Sequence, residues 1–416
     1  MEAPILAAVA AVAVLLGPAP VAARPAAARP LAARPASAAV PAPPCPRVPA
    51  PKVSRPPRPV PPPAVPEQRV VGGAGLDTAG LVVPAGVARP PALTATSWLV
   101  ADLDTGQVLG GCGPHEYGTP ASVQKLLLAA TMLPRLDPKQ VVTVTAEDMD
   151  IEPGSSAVGL VEGGRYTIET IWLGLLLNSG NEAANALARL GAGEGGAAAG
   201  VRAMNERAQQ LGALQTHAVT PSGLDGKGQF TSAYDLALIA RACFAEPAFR
   251  RYALTRQAQI PAQRTLRTKG FQIQNENQLI YRYPGALGGK TGFTDLARHT
   301  YVGAAERDGR RLVVTLLGAE PAPMRGWEQG AALLDWGFTL PRDASVGRLV
   351  EPGELDATPS AVPSEPAAPG TPRPAAASGP VEPGTLRIWS VAALVGAGGL
   401  LLAGLLWRRR ARRPLS

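Results

Sequence analysis

Residues 287–317 decide the fold class. Leu287-Gly288-Gly289-Lys290-Thr291-Gly292-Phe293-Thr294 is followed, past Arg298, by His299-Thr300-Tyr301-Val302-Gly303-Ala304-Ala305. Past Asp308-Gly309 the chain returns as Leu312-Val313-Val314-Thr315-Leu316-Leu317. β-Branched and aromatic residues favour strands, and Asp-Gly is a strong hairpin turn. The stretch reads as antiparallel strands reversing at Asp308-Gly309. Lys290-Thr291-Gly292 then lies on an edge strand. It offers an ammonium, a hydroxyl and a glycine that lets a ligand approach the backbone. Alone, it reads equally well as an ordinary strand start with a surface lysine.

Upstream, Thr119-Pro120-Ala121-Ser122-Val123-Gln124-Lys125 runs into Leu126-Leu127-Leu128-Ala129-Ala130. Proline suits a first helical turn, and the apolar run predicts a buried helix. Ser122 and Lys125, three apart, share one face. A lysine in a dry setting loses its preference for the charged form and can take a serine proton. By chance, Ser-x-x-Lys is usually a solvated helix face; the apolar run makes an idle lysine unexpected here. A second break, Leu177-Asn178-Ser179-Gly180-Asn181-Glu182-Ala183, separates an apolar helix from an Ala-rich one. The turn fixes a hydroxyl and a carboxamide between two helices, although Ser179 or Asn181 capping the second helix would explain it as well. The three motifs stand in the order Ser122, Ser179, Lys290, separated by 57 and 111 residues. Jointly they are far more specific than any one of them.

The surrounding chain divides by composition. Of 416 residues 44 are proline, 19 of them in residues 1–70 and nine in 342–387. The formal charge of +8 has the same distribution: residues 92–341 hold 22 basic and 23 acidic side chains. A neutral domain with basic tails excludes a nucleic-acid footprint. Ile5–Leu16 followed by Val21-Ala22-Ala23 reads as a signal peptide over residues 1–23, despite Glu2 and no basic residue before the run. Residues 24–91 read as a Pro/Ala-rich disordered spacer, 92–341 as the catalytic domain, and 342–387 as a second Pro-rich linker. Ile388–Trp407 carries no charge over twenty residues and precedes five arginines. That pattern predicts a membrane-spanning helix with a basic cytoplasmic tail, 408–416. The whole is expected to be a plasma-membrane protein with its domain outside the cytoplasm.

Cysteine and histidine are scarce. Cys45 lies in the spacer, and Cys112 and Cys243 are open to pairing with each other. No CxxC or histidine cluster supports a metal site. His115, His217 and His299 stand in no recognisable nucleophile context.

On these motifs, residues 97–340 resemble the D-alanyl-D-alanine carboxypeptidases, low-molecular-mass penicillin-binding proteins of the penicillin-recognising serine hydrolase superfamily. Further likeness lies in Trp98-Leu99-Val100-Ala101-Asp102, in Glu152-Pro153-Gly154-Ser155-Ser156, in Ser222-Gly223-Leu224-Asp225 and in Thr231-Ser232-Ala233-Tyr234-Asp235. The resemblance implies an α/β (α+β) DD-peptidase/β-lactamase-like fold, a helical region packed on a five-stranded antiparallel sheet. It implies that Ser122 attacks the carbonyl between two D-alanines with Lys125 as base, and that Ser179 relays a proton to the leaving amine. Asn181 would hold the substrate amide, and Lys290 and Thr291 its terminal carboxylate. Gly292 gives close approach, and the N–H groups of Ser122 and Phe293 would form the oxyanion hole. Arg325 is a further carboxylate-binding candidate, equally readable as a solvated loop residue. Peptidoglycan peptides ending in D-Ala-D-Ala are the implied partners and β-lactams the inhibitors, with no metal or organic cofactor.

The chain departs from the family pattern in three places. It passes to a Pro-rich stretch where many members carry a second β domain. It has Phe293 after Lys-Thr-Gly, and a spanning helix in place of an amphipathic anchor. A β-lactamase reading requires a deacylating glutamate past the second motif, where Ala213-Leu214-Gln215-Thr216-His217 supplies no acid. An endopeptidase would share the mechanism, and a non-catalytic wall-binding module would not need these polar residues.

Overall fold

The chain approaches its domain along a proline-rich segment, and the structure, a computed structural model, describes residues 42–356. A one-turn helix α1 (Pro66–Arg69) begins on proline, whose missing N–H has no helical partner to lose. A short strand β1 (Leu81–Val82) leads to the hairpin β2 (Ser97–Asp102) and β3 (Gln107–Cys112). Its turn is built by Asp102, whose Oδ1 accepts the N–H groups of Asp104 and Thr105 at 3.0 Å. Local carboxylate-to-backbone bonds of this kind reverse a chain without regular structure.

The helical region follows. After a 3₁₀ turn over Ala121–Gln124 comes α2 (Lys125–Met132), with all eight residues buried. The small hairpin β4 (Val141–Thr143) and β5 (Arg165–Thr167) leads to α3 (Ile168–Asn178), α4 (Asn181–Ala192) and α5 (Gly196–Gln210). Thr167 caps α3 by accepting the Thr170 N–H. Ser232 caps α6 (Ala233–Ala245) in the same way, and α7 (Pro247–Leu254) follows. A second small hairpin, β6 (Gln257–Ile260) and β7 (Phe271–Gln274), and the one-turn α8 (Leu279–Arg282) return the chain to the main sheet.

β8 (Ala286–Thr294), β9 (Arg298–Arg307) and β10 (Arg310–Ala319) complete that sheet, before α9 (Gly326–Thr339) and β11 (Gly347–Arg348). Asp308 and Gly309 both have positive φ, 53° and 68°, as the predicted two-residue hairpin requires. The strand order is β1-β3-β2-β10-β9-β8, with β11 also on β3, and every pairing is antiparallel. The expected five strands are therefore the long ones; two-residue strands add to the β3 side. Period-two alternation divides the faces. Leu99, Ala101 and Val313 join the core shared with α2, α3, α4 and α6. Trp98, Val100, Val314 and Leu316 face α9, where Trp98 meets Trp336 edge-on at 6.0 Å.

The folded unit is longer than composition predicts. Residues 42–91 are not a free spacer: Leu76 is fully buried, and β1 pairs Leu81 with Cys112 and Val82 with Gly111. At the other end, β11 pairs with β3, and Leu349 and Val350 are buried, so the fold runs past residue 342 to 356. The pairing left open for Cys112 is resolved as well. Cys112 is bonded to Cys45, with Cα atoms 5.8 Å apart. Cys243 is a free, buried thiol that donates to the Leu126 carbonyl at 3.1 Å, and burial pushes its pKa up. The signal peptide, the predicted span 388–407 and the basic tail lie outside the described residues. Among the described residues no helix is long and apolar enough to cross a membrane.

Candidate active site

Ser122 sits in the 3₁₀ turn that opens α2, and the turn is tightly backed. Ala121 takes φ 48°, and Gly223 packs so closely that a Cβ there would lie 1.9 Å from the Ala121 carbonyl oxygen. Only glycine fits. It brings the preceding carbonyl, that of Ser222, beneath the helix. The Nζ of the fully buried Lys125 lies 3.0 Å from Ser122 Oγ, 2.8 Å from Asn181 Oδ1 and 2.8 Å from the Ser222 carbonyl oxygen. Burial and then the charge of Lys290 push the Lys125 pKa well below the usual ammonium range, with Glu182 and Glu276 opposing. A fixed amine 3.0 Å from a hydroxyl, with its charged form disfavoured, is a general base in position.

The second motif forms the corner between α3 and α4. Ser179 ends α3 in the left-handed conformation, φ 62°, and Gly180 is the N-cap of α4 without a side-chain cap bond. Neither Ser179 nor Asn181 is therefore spent on capping. The Ser179 hydroxyl is buried and, among the described residues, has no hydrogen-bond partner. Asn181 gives its carbonyl oxygen to Lys125, and among the described residues its amide nitrogen donates to none. The next residue, Glu182, fastens the corner: its buried Oε1 accepts the N–H groups of Val158, Gly159 and Leu160 at 2.7, 2.8 and 3.3 Å.

The third motif lies on β8, the open end of the sheet. Lys290 is buried and donates to the Thr291 carbonyl at 2.8 Å. Burial lowers its pKa to about 8, with Glu276 opposing. Gly292 is where strand meets helix: a Cβ there would lie 2.4 Å from Thr300 Oγ1 and 2.8 Å from the Ser122 nitrogen. Thr300 in turn donates to the Pro120 carbonyl at 2.8 Å, tying β9 to the Ser122 turn. Phe293 is 47% exposed, against His299 at 4.7 Å and beneath the Arg298 guanidinium at 5.1 Å.

The fold thus gathers Ser122, Lys125 and Asn181 into one hydrogen-bonded cluster. It sets Ser179 in the adjoining α3–α4 corner and Gly292, with its strand, against the Ser122 turn. Arg325 stands apart, exposed at the N-cap of α9, its backbone N–H held by Glu328. Three participants take parts that no motif assigns to them. The Ser222 carbonyl and Glu182 are described above; the third is Glu276. Its N–H bonds the Leu177 carbonyl at 3.1 Å, next to the Ser179 corner. Its neighbours are fixed: Asn275 donates to the Ala253 and Thr255 carbonyls, and Asn277 accepts the Tyr301 hydroxyl. The exposed Glu276 carboxylate favours the charged form of both lysines.

Comparison with known proteins gives one answer. The family model described as D-alanyl-D-alanine carboxypeptidase matches residues 85–321. The chain is 46% identical over 274 residues to the Mycobacterium tuberculosis D-alanyl-D-alanine carboxypeptidase DacB2, covering 64% of this chain and 90% of that protein. It is 35% identical over 260 residues to DacD of Escherichia coli, covering 60% of this chain and 64% of DacD. Among solved structures, a D-alanyl-D-alanine carboxypeptidase from M. tuberculosis superposes with a TM-score of 0.60 at 44% identity. That match spans 64% of this chain and all of the other. The Streptomyces K15 DD-transpeptidase superposes at 0.57 and 25% identity, over 61% of this chain and all of the other.

Proposed function

The chain belongs to the D-alanyl-D-alanine carboxypeptidase family of serine DD-peptidases, and on that premise we propose that Ser122 forms the acyl-enzyme that removes the terminal D-alanine from peptidoglycan stem pentapeptides. The observation that carries this reading is the 3.0 Å contact between Ser122 Oγ and a buried Lys125 whose ammonium is disfavoured. Neutral Lys125 accepts the hydroxyl proton as Oγ adds to the penultimate carbonyl. The developing oxyanion is met by the N–H groups of Ser122 and Phe293. The proton passes through Ser179, whose hydroxyl is uncommitted in the resting site, to the leaving D-alanine nitrogen. Lys290, still largely charged at neutral pH with a pKa of about 8, and Thr291 hold the terminal carboxylate. The free Asn181 amide hydrogens bond the substrate amide. Water then attacks the ester and regenerates Ser122.

β-Lactams enter the same site and acylate the same oxygen. Glu182 is anchored through Oε1 to three backbone N–H groups, Glu276 is exposed, and Ala213-Leu214-Gln215-Thr216-His217 supplies no acid past the second motif. On this reading a penicilloyl adduct persists. The disulfide between Cys45 and Cys112 supports an oxidising compartment, and the uncharged run 388–407 before five arginines supports a C-terminal membrane anchor. The test is release of D-alanine from a pentapeptide ending in D-Ala-D-Ala. Wild type releases it and Ser122→Ala does not; release by both, or by neither, overturns the assignment. Rapid turnover of a labelled penicillin would favour a β-lactamase instead.

A further inference from the structure

The segment preceding the family-matching residues folds back across the domain and is held at three points. Cys45 is bonded to Cys112. The Arg47 guanidinium donates to the carbonyls of Ala95 at 3.4 Å and Thr96 at 3.1 Å. Arg55 pairs with the fully buried Glu320 at 2.6 Å. Beneath this strap lies a cavity of about 230 Å³, walled by Arg55 and Arg58 of the strap, by Tyr117, Thr119 and Phe230, and by Arg298 of the β8–β9 turn. Glu320 is shared between Arg55 and Arg298, and Asp295 pairs with Arg298 at 3.6 Å. Arg58 makes no ion pair among the described residues. Three guanidinium groups against two carboxylates leave the cavity positive.

The cavity adjoins the cleft on a definite side. Thr119 is three residues from the nucleophile, and Arg298 stacks over Phe293. The order along β8 sets the direction of a bound peptide. With its terminal carboxylate at Lys290 and Thr291 and its scissile carbonyl at Gly292 against Ser122, its upstream residues run past Phe293 and Thr294. A peptide pairing with the open edge of β8 is then antiparallel to the strand and heads for the Asp295–Arg298 turn.

We propose that the strap completes an upstream subsite, in which the cavity takes a side-chain carboxylate of the acyl-donor peptide and Arg58 supplies the uncommitted cation. This rests on the carboxypeptidase reading above, since that reading fixes which end of the peptide lies where. The residues that build the subsite lie partly outside the family-matching segment, in the strap that precedes it.

Two N-blocked peptides ending in D-Ala-D-Ala test it, one with an upstream side-chain carboxylate and one with the matching carboxamide. Wild type should show a KM about three- to tenfold lower for the acid, with equal kcat. Arg58→Ala should remove that preference and Arg58→Glu reverse it, with the amide peptide's KM changing less than about twofold. An unchanged acid/amide ratio, or an equal loss on both peptides, overturns the subsite. Equilibrium binding of both peptides to Ser122→Ala, with and without Arg58→Glu, reads the same preference without turnover. Acid-selective binding without hydrolysis by wild type would overturn the carboxypeptidase reading and uphold the subsite. Hydrolysis without selectivity would do the opposite.

Discussion

Replacing Ser179 with alanine should make the protein more stable and nearly inactive. Ser179 is only 4% exposed, and among the described residues its side-chain oxygen has no hydrogen-bond partner. Such an atom costs about 1–3 kcal/mol relative to one that is satisfied or absent. Alanine removes it and keeps Cβ, so the strain of φ 62° is the same in both proteins. The void of one oxygen offsets part of the gain, and a net stabilisation of about 1 kcal/mol is expected. The same oxygen is the proposed relay to the leaving nitrogen, and losing a positioned acid–base group costs about 10²- to 10⁴-fold in rate. Urea unfolding at pH 7 measures the first effect as a higher midpoint at unchanged slope. The second-order rate of acylation by a labelled penicillin measures the second. Unfolding at lower urea than wild type would refute the argument from the unpaired hydroxyl. Acylation at the wild-type rate would refute the relay.

Glu276→Gln removes a charge that favours the ammonium of both lysines, so each should lose its proton at lower pH. On the proposed mechanism acylation needs Lys125 neutral and Lys290 charged, so both limbs of the pH–rate profile should move to lower pH; an unmoved or upward-shifted profile contradicts this. Reduction of the Cys45–Cys112 bond, which spans 67 residues, should cost about 4 kcal/mol by chain entropy and lower the thermal midpoint by roughly 6 °C. Calorimetry with and without reductant checks it, and equal midpoints would mean that the strap is fixed by its arginines alone.

The candidate groups can be picked out in the sequence because each lies in a short run whose direction local structure dictates. Ser122 and Lys125 share a helix face, Ser179 occupies a break between helices, and Lys290-Thr291-Gly292 rides a strand with a recognisable hairpin partner. What could not be read are contacts without a side-chain signature. The Ser222 carbonyl, 97 residues from Lys125, is a backbone atom brought there by Gly223. Glu182 satisfies backbone N–H groups more than twenty residues away, and nothing in its neighbours announces them. The domain limits failed for a related reason. Composition counts apolar side chains that can be buried, and residues 42–65 have few. They are held instead by a disulfide and by Arg55 on a buried carboxylate, which composition does not weigh. Cys45 looked stranded in a spacer because its partner becomes visible only when the segment folds back along β3.

The short strands beside β3 have a consequence for self-association. β1 and β11 occupy the outer side of β3, at Gly111–Cys112 and at Gln107–Val108, so one margin of the main sheet is already taken. The other margin is β8, and the described residues place no strand against it. An unpaired margin is where a second molecule docks by strand addition. On the proposed function it is also where the peptide lies, so a dimer formed through β8 would be an inhibited dimer. Concentrating the protein should then depress its specific activity, and saturating peptide should restore monomers. The catalytic need for a vacant strand and the need to stay monomeric are thus opposing demands on the same nine residues.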